Sequence, residues 1–177
     1  MSTPHKIETR PGVTYATHDG VALLGDLYMP AGAGPFPALV ALHGGGWQAG
    51  ARSTFQFWGP YLAQRGYVLF AISYRLAKKG QKMFPQAVQD VLAAVQFVRA
   101  TASSLKVDPA RIALIGASAG AHLAALAALA SDRFKGAYPN DAHASVCPRV
   151  RRVFDLTLSL NRPRLFLRTN HLPASNR

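Results

Sequence analysis

The stretch that most constrains the fold is RIALIGASAGAHLAALAALA, residues 111–130. RIALIG is a short apolar run of the kind that forms a strand covered on both faces. The alanine-rich run that follows favours a helix. Gly116-Ala117-Ser118-Ala119-Gly120 must therefore carry the chain from strand to helix in one sharp turn. Such a turn forces its central serine into a strained conformation and lifts the hydroxyl above the sheet. The flanking glycines leave room for crowded backbone, and the helix N-terminus favours negative charge developing beside it. Ser118 is accordingly the candidate nucleophile. The plainer alternative is a glycine-flanked turn in which Ser118 is an ordinary helix N-cap.

A second glycine cluster, His43-Gly44-Gly45-Gly46-Trp47, follows directly on the apolar run ALVALH, residues 38–43. Consecutive glycines let backbone N–H groups converge on one point, where an oxyanion can be held at about 3–4 kcal/mol per donor. The N–H of Ala119 is the further donor expected there. A flexible loop or a phosphate cradle is the competing reading, but no Gly-Lys-Ser/Thr follows, which excludes a P-loop. His43 is expected to brace the loop rather than to act as a base.

The remaining pattern supplies a scaffold. VTYATHDGVALLGDLYMP reads as a β-hairpin turning at Asp19-Gly20. Residues 54–65 suit a helix, broken or kinked near Gly59-Pro60 and closed by Gly66. YVLFAIS (67–73) is another buried strand. Residues 84–103 place Val88, Val91, Leu92, Val95 and Val98 at amphipathic helical spacing, and Asp108-Pro109 reads as a turn. An antiparallel hairpin followed by strands alternating with helices predicts an α/β fold with a parallel sheet flanked by helices.

HGGGWQAG, YRLA (74–77), FPQAVQDV (84–91), VDPARIAL (107–114) and GASAGAHLAAL (116–126), in this order and spacing, resemble the α/β-hydrolase superfamily. They are closest in kind to the hormone-sensitive-lipase-like and feruloyl-esterase-like carboxylesterases, over about residues 12–146. The resemblance implies hydrolysis of a small carboxylic ester through an acyl-enzyme, with no metal or cofactor. It makes Ser118 the nucleophile, and Gly45, Gly46 and Ala119 the oxyanion hole. One departure is Ser73, where the family usually has Asp, which puts an ion pair to Arg75 in doubt.

The net charge of +12 divides unevenly: residues 147–177 hold seven arginines against Asp155 alone, with no glycine and no lysine. The sequence therefore divides into residues 1–146, the N-terminal portion of a hydrolase domain, and an atypical Arg-rich tail, 147–177, read as frameshifted or disordered. On this reading the fold is truncated, and the strand RIALIG is left as an open sheet edge, unless the alternating, strand-like run VFDLTLSL (153–160) caps it, and then poorly. The family's triad runs Ser, then Asp or Glu, then His along the chain. His122 is expected on a helix face, and Asp132, Asp141 and His143 come too early, which leaves Asp155 and His171 in the tail as acid and base. The expectation is an esterase that is inactive or strongly impaired. The alternative is a non-catalytic remnant or ligand-binding protein on the same scaffold. The tail has no nucleic-acid-binding motif and no aromatic ladder, so a nucleic-acid partner is not expected. No signal peptide or membrane segment is evident, so a cytoplasmic location is expected. Cys147 alone can form no internal disulfide. Trp47, Phe55, Phe57 and Trp58 are candidates either for a substrate pocket or for simple packing.

Overall fold

The computed structural model describes residues 4–134, 141–150 and 152–156. The chain starts with strands β1 (Ile7–His18) and β2 (Val21–Pro30), paired antiparallel. Their two-residue turn holds Asp19 at φ 51° and Gly20 at φ 75°, the double left-handed turn that an Asp-Gly hairpin favours. Gly25 in β2 leaves space for a neighbour: a Cβ there would lie 2.2 Å from the ring of Phe70, which is completely buried.

Strands β3 (Phe36–Leu42), β4 (Val68–Ile72) and β5 (Val107–Gly116) form the parallel centre, and β2 pairs antiparallel with β4. The sheet order is β1-β2-β4-β3-β5-β6, where β6 is the short strand Val153–Asp155. The α/β expectation is met. Strand parity divides the core in two. Val40, Leu42, Phe70 and Leu114 face helix α2 (Gln86–Ala100), through Val88, Val91 and Val95, and helix α3 (Ala119–Leu129), through Leu123, Ala124 and Ala127. Leu39, Ala41, Leu69 and Ile115 face the opposite layer, with Phe55 and helix α1 (Trp58–Ala63).

Three local expectations are corrected. Residues 54–65 are not one helix: a 3-10 turn, Arg52–Phe55, precedes α1. Gly59-Pro60 does not break α1, because Pro60 sits in the first turn, where its missing N–H has no helical acceptor. Asp108-Pro109 lies inside β5, in a register break between Phe36 and Ala38. There Asp108 accepts the N–H of Ala110 at 2.9 Å, so the turn chemistry is present within a strand.

The edge expected at β5 is covered along three residues by β6, which runs parallel to it with Leu114 opposite Val153, Ile115 opposite Phe154 and Gly116 opposite Asp155. Phe154 and Leu156 pack into the α1 layer, in keeping with the alternation of VFDL in the sequence. The segment leading to β6 is held from α2. Gln96 donates to the carbonyls of Ala144 and Val146, and Arg99 to those of Cys147 and Arg149. Among the described residues no helix is long and apolar enough to cross a membrane.

Candidate active site

Ser118 is exposed at the C-terminal end of β5, with φ 52° and ψ −119°. That is a left-handed region costly for a residue with a Cβ, and it persists only where the surroundings fix it. The surroundings here are backbone. A Cβ on Gly116 would lie 2.5 Å from the carbonyl carbon of Gly120, and one on Gly120 would lie 2.2 Å from the Leu42 oxygen and 2.6 Å from the His43 oxygen. The two glycines of the pentapeptide thus let α3 press on the ends of both β5 and β3. Ala117 donates to Leu42 at 3.3 Å, Gly120 to Ala117 at 2.9 Å and His122 to Ser118 at 3.1 Å, closing the turn. The Ser118 side chain makes no cap bond to α3, so it is not the ordinary N-cap of the alternative reading.

The glycine loop lies against this elbow. A Cβ on Gly44 would sit 3.1 Å from the Ala117 oxygen and 3.5 Å from the Ser118 Cβ. Gly45 (φ 119°), Gly46 (φ 59°) and Trp47 (φ 62°) keep the backbone in a conformation that favours glycine, and the Gly45 carbonyl accepts the N–H groups of Gln48 and Ala49. Among the described residues no carbonyl takes the N–H of Gly45, Gly46 or Ala119. His43 is 1% exposed, stacks on Tyr74 with ring centroids 4.3 Å apart, and donates from Nδ1 to the Gly44 carbonyl at 2.7 Å. Burial pushes its pKa down, so it is neutral. Tyr74 in turn donates its hydroxyl to the His43 carbonyl at 2.8 Å, and burial raises its pKa to about 12. His43 therefore braces the loop, as expected.

Asp155 is placed at the end of β6 with its Cα opposite Gly116, two residues before Ser118. His171 lies outside the described residues. His122 is exposed on α3, its ring edge-on to Trp47 at 5.3 Å. Phe55 is core, Trp58 packs in the α1 layer, and Phe57 is 68% exposed.

A cluster that the sequence did not announce lies at the hairpin. His18, 1% exposed, bonds through Nδ1 to Asp90 Oδ1 at 3.0 Å and through Nε2 to Asp141 Oδ2 at 2.7 Å. Burial works to lower its pKa, but the bonds to the two carboxylates outweigh it and the net shift is upward. Asp90, wholly buried, also takes the backbone N–H and the guanidinium of Arg75, at 2.9 and 2.7 Å, while Arg75 reaches Asp19. The doubt raised by Ser73 is thereby resolved: α2 supplies the carboxylate for Arg75. The sequence signal available was Asp90 on the otherwise apolar face of the helix at 84–103.

A serine lifted on a strained strand-to-helix turn, beside a glycine loop at the end of the neighbouring strand of a mixed sheet, defines an α/β-hydrolase. The BD-FAE family model matches residues 25–157, ten residues past the compositional break at 147, and the chain belongs to that family. It is similar to isoprenylcysteine alpha-carbonyl methylesterase ICME of Arabidopsis thaliana, 36% identical over 63% of this chain and 26% of the relative. It is also similar to esterase LipC of Mycobacterium tuberculosis, 34% identical over 63% and 28%. Among solved structures, the propionate-bound Est2 esterase of Thermogutta terrifontis superposes with a TM-score of 0.72 at 30% identity, over 86% of this chain and 54% of that one. The same esterase phosphorylated by paraoxon gives 0.69 at 30% identity, over 92% and 62%. The chain thus spans about a quarter of the length of the curated relatives it matches.

Proposed function

We propose that this chain carries the nucleophile and anion-binding half of a serine carboxylesterase acting on a small-molecule ester. In this reading the Ser118 hydroxyl attacks the ester carbonyl, its proton passes to a base, and the tetrahedral oxyanion accepts hydrogen bonds from Gly45, Gly46 and Ala119. The alcohol then leaves, and water releases the acid from the acyl-serine. The observation that carries the reading is the left-handed Ser118 held by the crowded glycines 116 and 120. The similarity to esterases, one of them trapped as a phosphorylated adduct, supports it.

The base decides the rate. His18 is committed to two carboxylates, the Nδ1 of His43 to Gly44, and His143 lies beside Phe97 on the α2 side. His5 bonds the Ala31 carbonyl and His122 stands on α3 edge-on to Trp47. The order Ser, acid, His along the chain makes Asp155 and His171 the acid and base on offer, but His171 falls beyond the family match at 157, so this reading expects no effective base and slow turnover. Loss of the base alone costs on the order of 10⁶ in turnover, and an oxyanion hole with bound substrate retains about 10³–10⁴ over water. The test is hydrolysis of 4-nitrophenyl butyrate by purified protein. A slow rate removed by Ser118→Ala is expected. A rate unchanged in Ser118→Ala refutes the nucleophile, and a turnover near a typical enzyme's ~10 s⁻¹ refutes the impairment.

A further inference from the structure

We propose that the loop following β4 makes the site selective for esters that carry a negative charge beyond the scissile bond; this rests on the esterase reading of Ser118. From residue 27 to residue 89 the chain contains no Asp or Glu but six Lys or Arg. That stretch includes both loops that leave the C-terminal ends of β3 and β4, the end of the sheet at which Ser118 stands. Its three arginines are accounted for: Arg52 pairs with Asp26, Arg65 lies over the Tyr61 ring, and Arg75 pairs with Asp90 and Asp19. Lys78, Lys79 and Lys82 remain. All three are exposed, and none forms an ion pair among the described residues.

Their supply of carboxylates is spent elsewhere. Of the eight acidic residues in the chain, Glu8, Asp19, Asp26, Asp90, Asp108, Asp132 and Asp141 are bound by arginine or histidine. Asp155, the eighth, lies on β6, on the far side of β5 from the lysines. The β4 side of the site's mouth therefore carries the exposed cationic groups.

The loop is anchored beside Ser118 at its start and at the far end of α3 at its close. At its start the Ala77 N–H donates to the Trp47 carbonyl at 2.7 Å, and Trp47 in turn contacts His122, one helical turn after Ser118. At its end the ring of Phe84 meets Phe134, just beyond α3, edge-on at 5.9 Å. Between them Lys78 and Gln81 bridge across a tight turn, with Gly80 at φ 79°, so the lysines share one short projection rather than trailing at random. Strand β4 is two places from β5 in the sheet order, so the strand ends are roughly 10 Å apart, and the lysines, six to ten residues beyond β4, are taken to act from about that distance. At that distance in water one unit charge changes the binding of an anion about two-fold. Three give about eight-fold at low ionic strength, falling to about two-fold at 0.1 M salt.

Two readouts separate this proposal from the esterase reading on which it rests. The first is binding of 4-fluorobenzoate and of uncharged 4-fluorobenzamide, followed by fluorine NMR of the ligands, with no turnover required. The second is hydrolysis of 4-acetoxybenzoate and of its methyl ester, which share a scissile acetyl bond. The expected result is tighter binding of the benzoate at 10 mM salt, lost both in 0.5 M NaCl and in the Lys78→Ala/Lys79→Ala/Lys82→Ala variant. At 10 mM salt the same variant should lower kcat/KM for the anionic ester about four-fold and leave the neutral ester unchanged. Equal binding of the two ligands, or a benzoate preference that survives the triple substitution, overturns the proposal. Hydrolysis of both esters with no effect of the variant leaves the esterase and removes the selectivity. Lysine-dependent benzoate binding without any hydrolysis keeps the anion site and removes the esterase.

Discussion

Replacing Gly120 by alanine tests the elbow through its most crowded point. The new Cβ would stand 2.2 Å from the Leu42 oxygen, 2.6 Å from the His43 oxygen and 2.7 Å from the Leu42 carbonyl carbon. Comfortable non-bonded contact requires roughly 3.5 Å, so α3 must retreat from the end of β3 by about 1 Å. Neither target can swing aside. The Leu42 carbonyl accepts the Ala117 N–H, and the His43 carbonyl accepts the Tyr74 hydroxyl. Overpacking of this kind costs about 1–3 kcal/mol, and backbone neighbours place it at the upper end. Alanine recovers about 1 kcal/mol in helix propensity, so the net destabilisation is about 1–2 kcal/mol. In a chain of this size that lowers Tm by about 2–8 °C. The same retreat moves Ser118 relative to Gly45 and Gly46. Because a 1 Å misplacement costs on the order of 10²-fold, its reaction with a fluorophosphonate should slow at least ~10-fold. Thermal unfolding followed by circular dichroism and a labelling time course check the two parts. A Gly120→Ala protein with wild-type or higher Tm and unchanged labelling would refute the reasoning.

Other outcomes follow from the buried charges and the sheet. Asp90→Ala leaves the Arg75 and His18 cations without their buried partner and should cost about 3–5 kcal/mol, read as a lower midpoint in urea. The folded pKa of His18 is raised, so its contribution to stability is complete below the unfolded value of about 6.5 and is lost as pH climbs through the folded one. Tm should therefore fall over that window in wild type and fall less in His18→Gln. Gly25→Val would drive a side chain into the buried Phe70 ring and should reduce Tm more than Gly20→Ala, which meets no neighbour within 4 Å and strains only the turn.

What could be read from the sequence was local. The Asp19-Gly20 turn, the apolar runs of β3, β4 and β5, and the Gly-X-Ser-X-Gly elbow each depend on a few adjacent residues, and each stands where its pattern places it. The misses came from relationships across the chain. His18 and Asp141 are 123 positions apart and meet only after β1, α2 and the segment before β6 are assembled. Nothing in the sequence around either one announces a buried pair. The alternation from Val153 marked a strand but not its pairing: arginines flank it on the N-terminal side, and only the fold puts three residues in register with Leu114, Ile115 and Gly116. Gly59-Pro60 misled because helix-breaking residues are harmless in a first turn, and Gly59 is required there: a Cβ would lie 2.3 Å from the ring of Tyr28.

The most direct measurement is intact and peptide mass spectrometry after exposure of the folded protein to a fluorophosphonate. A single adduct on Ser118, absent from Ser118→Ala and from protein unfolded before exposure, is the predicted result. A folded protein that takes no label at Ser118, or that labels there no faster than the unfolded chain, would contradict the claim that this elbow and the anion-binding backbone beside it make Ser118 a reactive nucleophile.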